Sequence, residues 1–457
     1  MQLNLRILIG GALALAILTA PAAGAPARAA ENRNRFTLGQ ALNQALKYSP
    51  KLKARREQRI AAGFQEKEAF TYFLPTLGAS YSWRQTQNQP TVHIRGMAFD
   101  VGSINNYQWS TYLRQPIFTG FRIRSEYKLA QLGVDLADID ERLARLDLAA
   151  KVKTSYFEYL RAQKTLEVAK QATSQLAAHL KVSQDFHEVG IIPINDVLKT
   201  KVELANAQQR EVKADNDVDL ARASLNILLG RSVERPLEVE DILRHHPVSI
   251  TFAQARAIAR AERPELKALK VRLKQAGYAV ARAQSGYWPQ VSLQGAYNFT
   301  SDSPELGDSA FYDATGWEVS AMMDWPFWEW GRTHHQVSRQ RAQKRRLAAV
   351  YQDLRDQVDL QVKQAYLFLR ESEKNIVTAR TSITQAKENH RITLERFKEQ
   401  LTTNTELLDA QTLLTQAQVN YYTALTVFNV ADAKLKRFMG RGLAPGPGDR
   451  PGRGGAR

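Results

Sequence analysis

Two stretches of this chain exclude a compact fold before anything else is weighed. From Phe121 to Phe186 there is no proline and a single glycine, Gly133; from Arg332 to Met439 there is neither. In the first stretch Leu132, Leu136, Ile139, Leu143 and Leu146 recur at alternating four- and three-residue spacing. That spacing keeps an apolar stripe turned toward a partner helix. One continuous helix of this length reaches roughly 100 Å, about three times the hydrocarbon thickness of a bilayer. No globular core needs such a rod.

The rod occurs twice because the chain is duplicated. Residues 36–79 align with 250–293 without a gap, and Thr37, Gln40, Ala45, Pro50, Leu52, Gly63 and Pro75 recur as Thr251, Gln254, Ala259, Pro264, Leu266, Gly277 and Pro289. Further on, Pro116 answers Pro326, Tyr156 answers Tyr366, Leu198 answers Leu408 and Gly230 answers Gly440. The pattern predicts a first repeat over 36–230, a linker over 231–249 and a second repeat over 250–440. Each holds a short helix, a second helix ending near Pro75 or Pro289, two strands, a long helix, a tight turn and a returning helix.

The strands are expected at 77–88 and 106–118, then at 290–301 and 316–327, each pair joined by a polar loop. Val291, Leu293, Tyr297 and Phe299 alternate with Ser292, Gln294, Asn298 and Thr300, one apolar and one polar face. Alternation alone also fits a half-buried sheet in a soluble protein. Tryptophan placement favours a membrane. All seven (Trp83, Trp109, Trp288, Trp317, Trp325, Trp328 and Trp330) fall in or near the strands, as expected where a protein crosses between lipid and water. Leu293, Tyr297, Val319 and Met323 are then expected to face lipid, and Ser320 a lumen. Four strands cannot close a barrel, so several chains must pool them. Two chains would leave almost no lumen, whereas three enclose a pore of twelve strands.

The N-terminus reads as a secretory signal over 1–29: Arg6, an apolar run from Ile7 to Ala20, and Ala27-Arg28-Ala29 before the cut. With no cysteine in the chain, there are no disulfides, thiolate metal sites or lipidated N-terminal Cys. The formal charge is +17. Lys and Arg interleaved with Glu and Asp along the helices, together with a signal peptide, argue against nucleic acid as a partner. The stretch 441–457, rich in Gly, Pro and Arg, is expected to be a disordered basic tail. No phosphate loop, zinc-protease helix or nucleophile elbow is present. Adjacent histidines on a helix point in different directions, so the pairs His245-His246 and His334-His335 are not expected to share a metal ion. No catalytic residue, metal site or cofactor is expected, and the protein does not read as an enzyme.

Signal, duplication, strand pairs ending in Pro116-Ile117-Phe118 and Pro326-Phe327-Trp328, long helices and turn motifs together resemble the TolC family of outer-membrane efflux proteins. The match spans about residues 36–440. It implies a mainly α fold with a small β part: duplicated long-helix hairpins forming a periplasmic α-barrel, and four strands per chain contributing to a trimeric 12-stranded outer-membrane barrel. It also implies an exit duct of a tripartite efflux or type I secretion system. Such a duct works with a periplasmic adaptor (membrane fusion) protein and an inner-membrane pump of RND or ABC type. The reading from another class is a soluble periplasmic coiled-coil scaffold.

The family's turn motif matches Val189-Gly190-Ile191-Ile192-Pro193, followed by Asp196, in the first repeat. Adaptor docking is therefore expected at Val189, Gly190, Ile191, Pro193, Leu401 and Thr402. The second turn, around Gln400, lacks the glycine, which weakens any expectation that both tips dock alike. The resemblance further places a periplasmic aperture at Glu406 and Asp409, with Asp196 at the matching position of the first repeat and Lys199 where its second acid would stand. Trp83, Trp109, Trp317, Trp325 and Trp328 are expected at the membrane interfaces.

Overall fold

A computed structural model of the protein describes residues 35–307, 311 and 315–442; the expected signal segment and the tail beyond Gly442 lie outside them. The order is α1 (Leu38–Tyr48), α2 (Pro50–Thr71), β1 (Thr76–Gln85), β2 (Thr91–Ile94), β3 (Met97–Asp100), β4 (Asn105–Thr119), α3 (Arg122–Glu188) and α4 (Ile194–Leu228). The second half follows with α5 (Phe252–Glu262), α6 (Pro264–Gln284), β5 (Gln290–Ser301), β6 (Thr315–Asp324), α7 (Arg332–Lys398) and α8 (Asn404–Phe438). Both long helices have 67 residues and both returning helices 35.

The repeat is visible in the caps. Thr37 and Thr251 each accept a hydrogen bond from the glutamine amide three residues on, whose side chain bonds back. Pro50 and Pro264 then open the second helices at positions where an N–H would be unpaired anyway. Within each copy the long helix is covered along one half by the returning helix and along the other by the two short ones.

The core sits at the middle of the rod. Buried Tyr156, Leu160, Leu225, Leu237, Ala259, Leu266, Val358, Leu369 and Phe428 form one cluster there. Residues 231–249 have almost no regular structure, and side chains hold them. The Tyr156 hydroxyl lies 2.9 Å from the carbonyls of both Phe36 and Glu240, and Tyr159 donates to Leu237 O at 2.8 Å. Asn226 and Asn429 donate to Arg235 O at 2.7 Å and Arg244 O at 3.1 Å. These bonds give the linker carbonyls partners that regular structure does not supply there.

The strands depart from expectation in two ways. β1 stops at Gln85 and β6 at Asp324, three residues short of the expected ends, so Trp325 and Trp328 lie beyond the sheet. The connection from 86 to 104 is not a plain polar loop either. It carries the antiparallel hairpin β2–β3, with Val92 opposite Phe99 and Ile94 opposite Met97.

Candidate functional site

The larger sheet has four antiparallel strands in the order β1-β4-β5-β6, leaving β1 and β6 as edges. Residues opposite one another share a face. The register sets Leu77, Tyr81 and Trp83 against Leu113, Trp109 and Tyr107, then Trp109 and Thr111 against Phe299 and Tyr297, and Tyr297 and Val291 against Trp317 and Met323. These residues form one apolar face. On the other stand Ser80 with Ser110, Ser110 with Asn298, and Gln294 with Ser320. A β-bulge between Pro116 and Phe118 keeps the apolar face in phase at the helix end of β4. The apolar face is uncovered: Leu77 is 72 % exposed, Val319 64 % and Trp317 78 %. An open sheet with such a face is not stable in water.

Tryptophans mark both ends of that face. Trp83, Trp109 and Trp317 lie at the end far from the helices; Trp325 and Trp328 lie just past the near end of β6. From Trp317 to Trp325 the chain rises roughly 25 Å, about the height of the apolar band of an outer-membrane barrel. Among the described residues no helix is long and apolar enough to cross a membrane.

The opposite end of the rod holds the two turns. Gly190 has a φ of 78° and Gln400 a φ of 60°. Their hydrogen bonds match: Ile191 N donates to Phe186 O and Leu401 N to Arg396 O, both at 2.8 Å, while Gly190 N and Gln400 N donate three residues back at 2.9 and 3.0 Å. Each turn is the same left-handed C-cap, so the missing glycine does not change the second tip's backbone. Val189, Ile191, Pro193 and Leu401 are exposed and Thr402 half-buried.

The starts of α4 and α8 meet. Asn404 Nδ2 donates to Asp196 O at 3.0 Å and to Thr200 Oγ1 at 3.1 Å, and His179 Nε2 lies 2.6 Å from Asn404 Oδ1. The bond to Asp196 orients the amide, so His179 Nε2 carries the proton. Phe397 packs edge-on against the imidazole, 5.0 Å between centroids. A cavity of about 350 Å³ adjoins, lined by His179, His390, Leu394, Phe397, Leu407 and Gln411 among others. Burial holds His179 and His390 below the ordinary imidazole pKa, against hydrogen bonds to Asn404 and Gln411 that act the other way. Sequence reasoning did not single out His179, Thr200 or Asn404. The usable signal was polar residues at positions where the helical stripe calls for apolar ones.

Around this tie lie the residues expected at the aperture. Asp196 is half-buried, 3.7 Å from the Lys199 ammonium, which also reaches Thr405 at 3.4 Å. Glu406 and Asp409 are exposed. Thr403 Oγ1 caps the Glu406 amide at 3.3 Å, and Thr402 donates to the Glu406 carboxylate. The structure therefore brings Asp196 and Glu406 to neighbouring helix starts, with Asp409 one turn further along α8.

A family model described as outer membrane efflux protein matches residues 41–231 and again 256–441, one match to each repeat. The chain belongs to that family and is an outer-membrane channel protein. It is 23 % identical over 421 residues to the alkaline protease secretion protein AprF of Pseudomonas aeruginosa, covering 89 % of this chain and 85 % of that one. It is 26 % identical over 270 residues to the outer membrane protein TolC of Vibrio cholerae, covering 58 % and 59 %. The structure is similar to the CmeC outer membrane channel of Campylobacter jejuni, with a TM-score of 0.78 at 17 % identity over 89 % of this chain and 86 % of that one. VceC of Vibrio cholerae gives 0.76 at 18 %, over 89 % and 96 %. The soluble scaffold reading is set aside by the family match.

Proposed function

We propose that three copies of this chain close into a single duct: a 12-stranded barrel in outer-membrane lipid and a helical tunnel beneath it. One observation carries this, the coincidence of open edges. In the half nearer the sheet the helices neighbour one another as α2-α3-α6-α7, and in the half nearer the tips as α4-α3-α8-α7. So α7 borders one side along its whole length, and α2 with α4 the other. β6 leads into α7, and α2 leads into β1. Sheet and helical wall thus end on the same two sides, and joining β6 to the β1 of a second copy also joins α7 to its α2 and α4. Those sides carry exposed apolar residues, among them Val202, Val212 and Ile227 on α4 and Leu360, Leu367 and Val377 on α7.

In this reading the duct takes substrate from an inner-membrane pump of RND or ABC type and a periplasmic adaptor. Relatives are named for alkaline protease secretion and for toluene and antibiotic efflux, and the outward step is common to all. The tips around Val189–Pro193 and Leu401-Thr402 dock the adaptor, and Glu406 and Asp409, with Asp196 beside them, ring the aperture. Trp83, Trp109 and Trp317 anchor one lipid boundary, and Trp325 and Trp328 the other. The test is the mass of the detergent-extracted particle. Three chains are expected; a monomer or dimer retaining its full strand content would reject the closure.

A further inference from the structure

The two long helices are copies of each other, yet one face of them differs in composition. On α3 the side carrying Tyr127, Asp138 and Glu141 meets α2, through Glu66, Arg59 and Arg56. About 180° round the helix lie Leu132, Leu136, Ile139, Leu143 and Leu146, buried or half-buried, on the side where α6 packs. The repeat that sets Tyr156 on Tyr366 carries this stripe onto Ala342, Arg346, Ala349, Asp353 and Asp356 of α7. All five are exposed. Tyr351, on the opposite side of α7, meets Lys270 of α6 at 5.9 Å. The helix equivalent to α6 is α2, whose side away from α3 carries Lys53, Glu57, Ile60 and Phe64, again all exposed. Lys53, Glu57, Arg346 and Asp353 form no ion pair among the described residues; Asp353 accepts from Gln357, one turn on, at 2.7 Å.

We propose that a second copy of this chain covers the α7 stripe, pairing its Glu57 with Arg346 and its Lys53 with Asp353, and that these charges select the chain as its own neighbour. This rests on the trimeric-duct reading. The joint inside one copy supplies the register. Gln275 on α6 donates to Leu129 O on α3 at 3.4 Å, and Lys267 lies within electrostatic reach of Arg142. Carried through the repeat, the first pair becomes Ala61 with Arg339 and the second Lys53 with Gln352. Between these two points Glu57 falls beside Arg346, and Lys53 reaches Asp353 next to Gln352. Phe64 falls near Ala342, a large side chain against a small one. At the same places inside one copy stand Leu136 with Val271, and Leu143 with Lys267. A joint within one chain has its partner supplied by the chain and can be apolar. A joint between separate chains must also refuse wrong partners, which opposed charges do.

The experiment is charge exchange in the full-length protein, read as the temperature at which the detergent-extracted trimer dissociates. Arg346→Glu and Glu57→Arg are each expected to lower it by about 5 °C or more. Together they should recover at least half of the loss. Asp353→Lys and Lys53→Glu should behave in the same way. The chain has no cysteine, so Arg346→Cys/Glu57→Cys places thiols at this joint alone. A short bismaleimide should then link three copies into one covalent species, and neither single cysteine should do so. Additive losses in the double exchange, or a trimer left unlinked with the cysteine pair, overturn the pairing and leave the duct standing, with the stripe open to a different partner. A monomer or dimer from the unsubstituted protein counts against the duct itself.

Discussion

Gly190 turns the tip of the first repeat, and Gln400 does so in the second, at nearly the same left-handed φ. At the far ends of the returning helices, both copies keep glycine: Gly230 at φ 68° and Gly440 at φ 77°. The difference lies in the surroundings. A Cβ on Gly190 would meet nothing within 4 Å, whereas one on Gly230 would lie 2.9 Å from Tyr48 Cβ and one on Gly440 2.8 Å from Glu262 O. Left-handed backbone costs a side chain modestly; crowding makes glycine obligatory. Glycine has also changed place before the long helices, where Gly120-Phe121 in one copy is answered by Trp330-Gly331, all four at positive φ. The duplicated path is set by the backbone, and residue identity drifts wherever there is room.

The largest expected effect comes from breaking a crowded glycine. Gly440→Ala combines left-handed strain of about 1–2 kcal/mol with overpacking of about 1–3 kcal/mol against the backbone of Glu262. Heating the detergent-extracted protein should dissociate the variant well before the parent. Gly190→Ala should cost only the strain. Comparable losses at both sites would mean that crowding is not what separates them.

Next is the contrast between the two faces of β6. Met323 shares the apolar face with Val291, and Ser320 shares the polar face with Gln294. Met323→Arg should impair insertion by about 2–4 kcal/mol if it lies near the bilayer midplane, and Ser320→Arg should insert nearly normally. Equal damage in a membrane-assembly assay would show the sheet facing assignment to be wrong.

What could be read in advance followed from periodicity. The rods, the duplication and the four barrel strands come from patterns many residues long, in which single exceptions average out. The β2–β3 hairpin was missed because its strands have four residues each, and Pro90 and Gly96 suggest a loop. The equality of the two tips was missed because glycine is sufficient for a left-handed turn but not necessary where space is open. The tie of His179, Thr200 and Asn404 joins three helices across more than two hundred residues, and no local pattern encodes such a meeting.

The proposed aperture sharpens the comparison of repeats electrically. In the first copy Asp196 has Lys199 beside it, 3.7 Å away; at the matching positions the second copy has two acids, Glu406 and Asp409, both exposed. Three copies would bring six carboxylates together, a site for divalent cations. Glu406→Ala/Asp409→Ala should weaken divalent block in bilayer recordings without loss of the trimer, whereas Asp196→Ala should change block little. Unaltered block in the double variant would reduce Glu406 to a helix-start acid.

A smaller effect should follow acidification. His179 and His390 are held below the ordinary value of 6.5 by burial. The unfolded or opened tip therefore binds protons that the packed tip resists, so the tip is fully stable above about pH 6.5 and loses stability as pH falls below it. Hydrogen exchange across residues 404–411, corrected for intrinsic rate, should show protection declining on that side only. His179→Gln should flatten the response. A pH profile unchanged in that variant would assign the titration elsewhere.

The smallest effect is the most direct test of the comparison. If Gln400 holds a left-handed conformation only because nothing obstructs its side chain, the strain remains although the crowding is absent. Gln400→Gly should relieve it, and the added freedom of glycine in the unfolded chain should offset part of the gain. The net result should be a stabilisation of at most about 1 kcal/mol, with the hydrogen bonds from Leu401 N to Arg396 O and from Gln400 N to Phe397 O intact. Gly190→Gln, the reverse exchange, should cost about as much and leave its own turn in place. Combining the two would exchange the tip residues of the repeats. Because Phe186 and Phe397, whose carbonyls help to close the two turns, pack 5.7 Å apart and Asn404 ties α8 to α4, the combined change should depart from the sum of the single ones. Strict additivity in thermal dissociation would mean that this packing transmits nothing between the turns and that each is an independent copy.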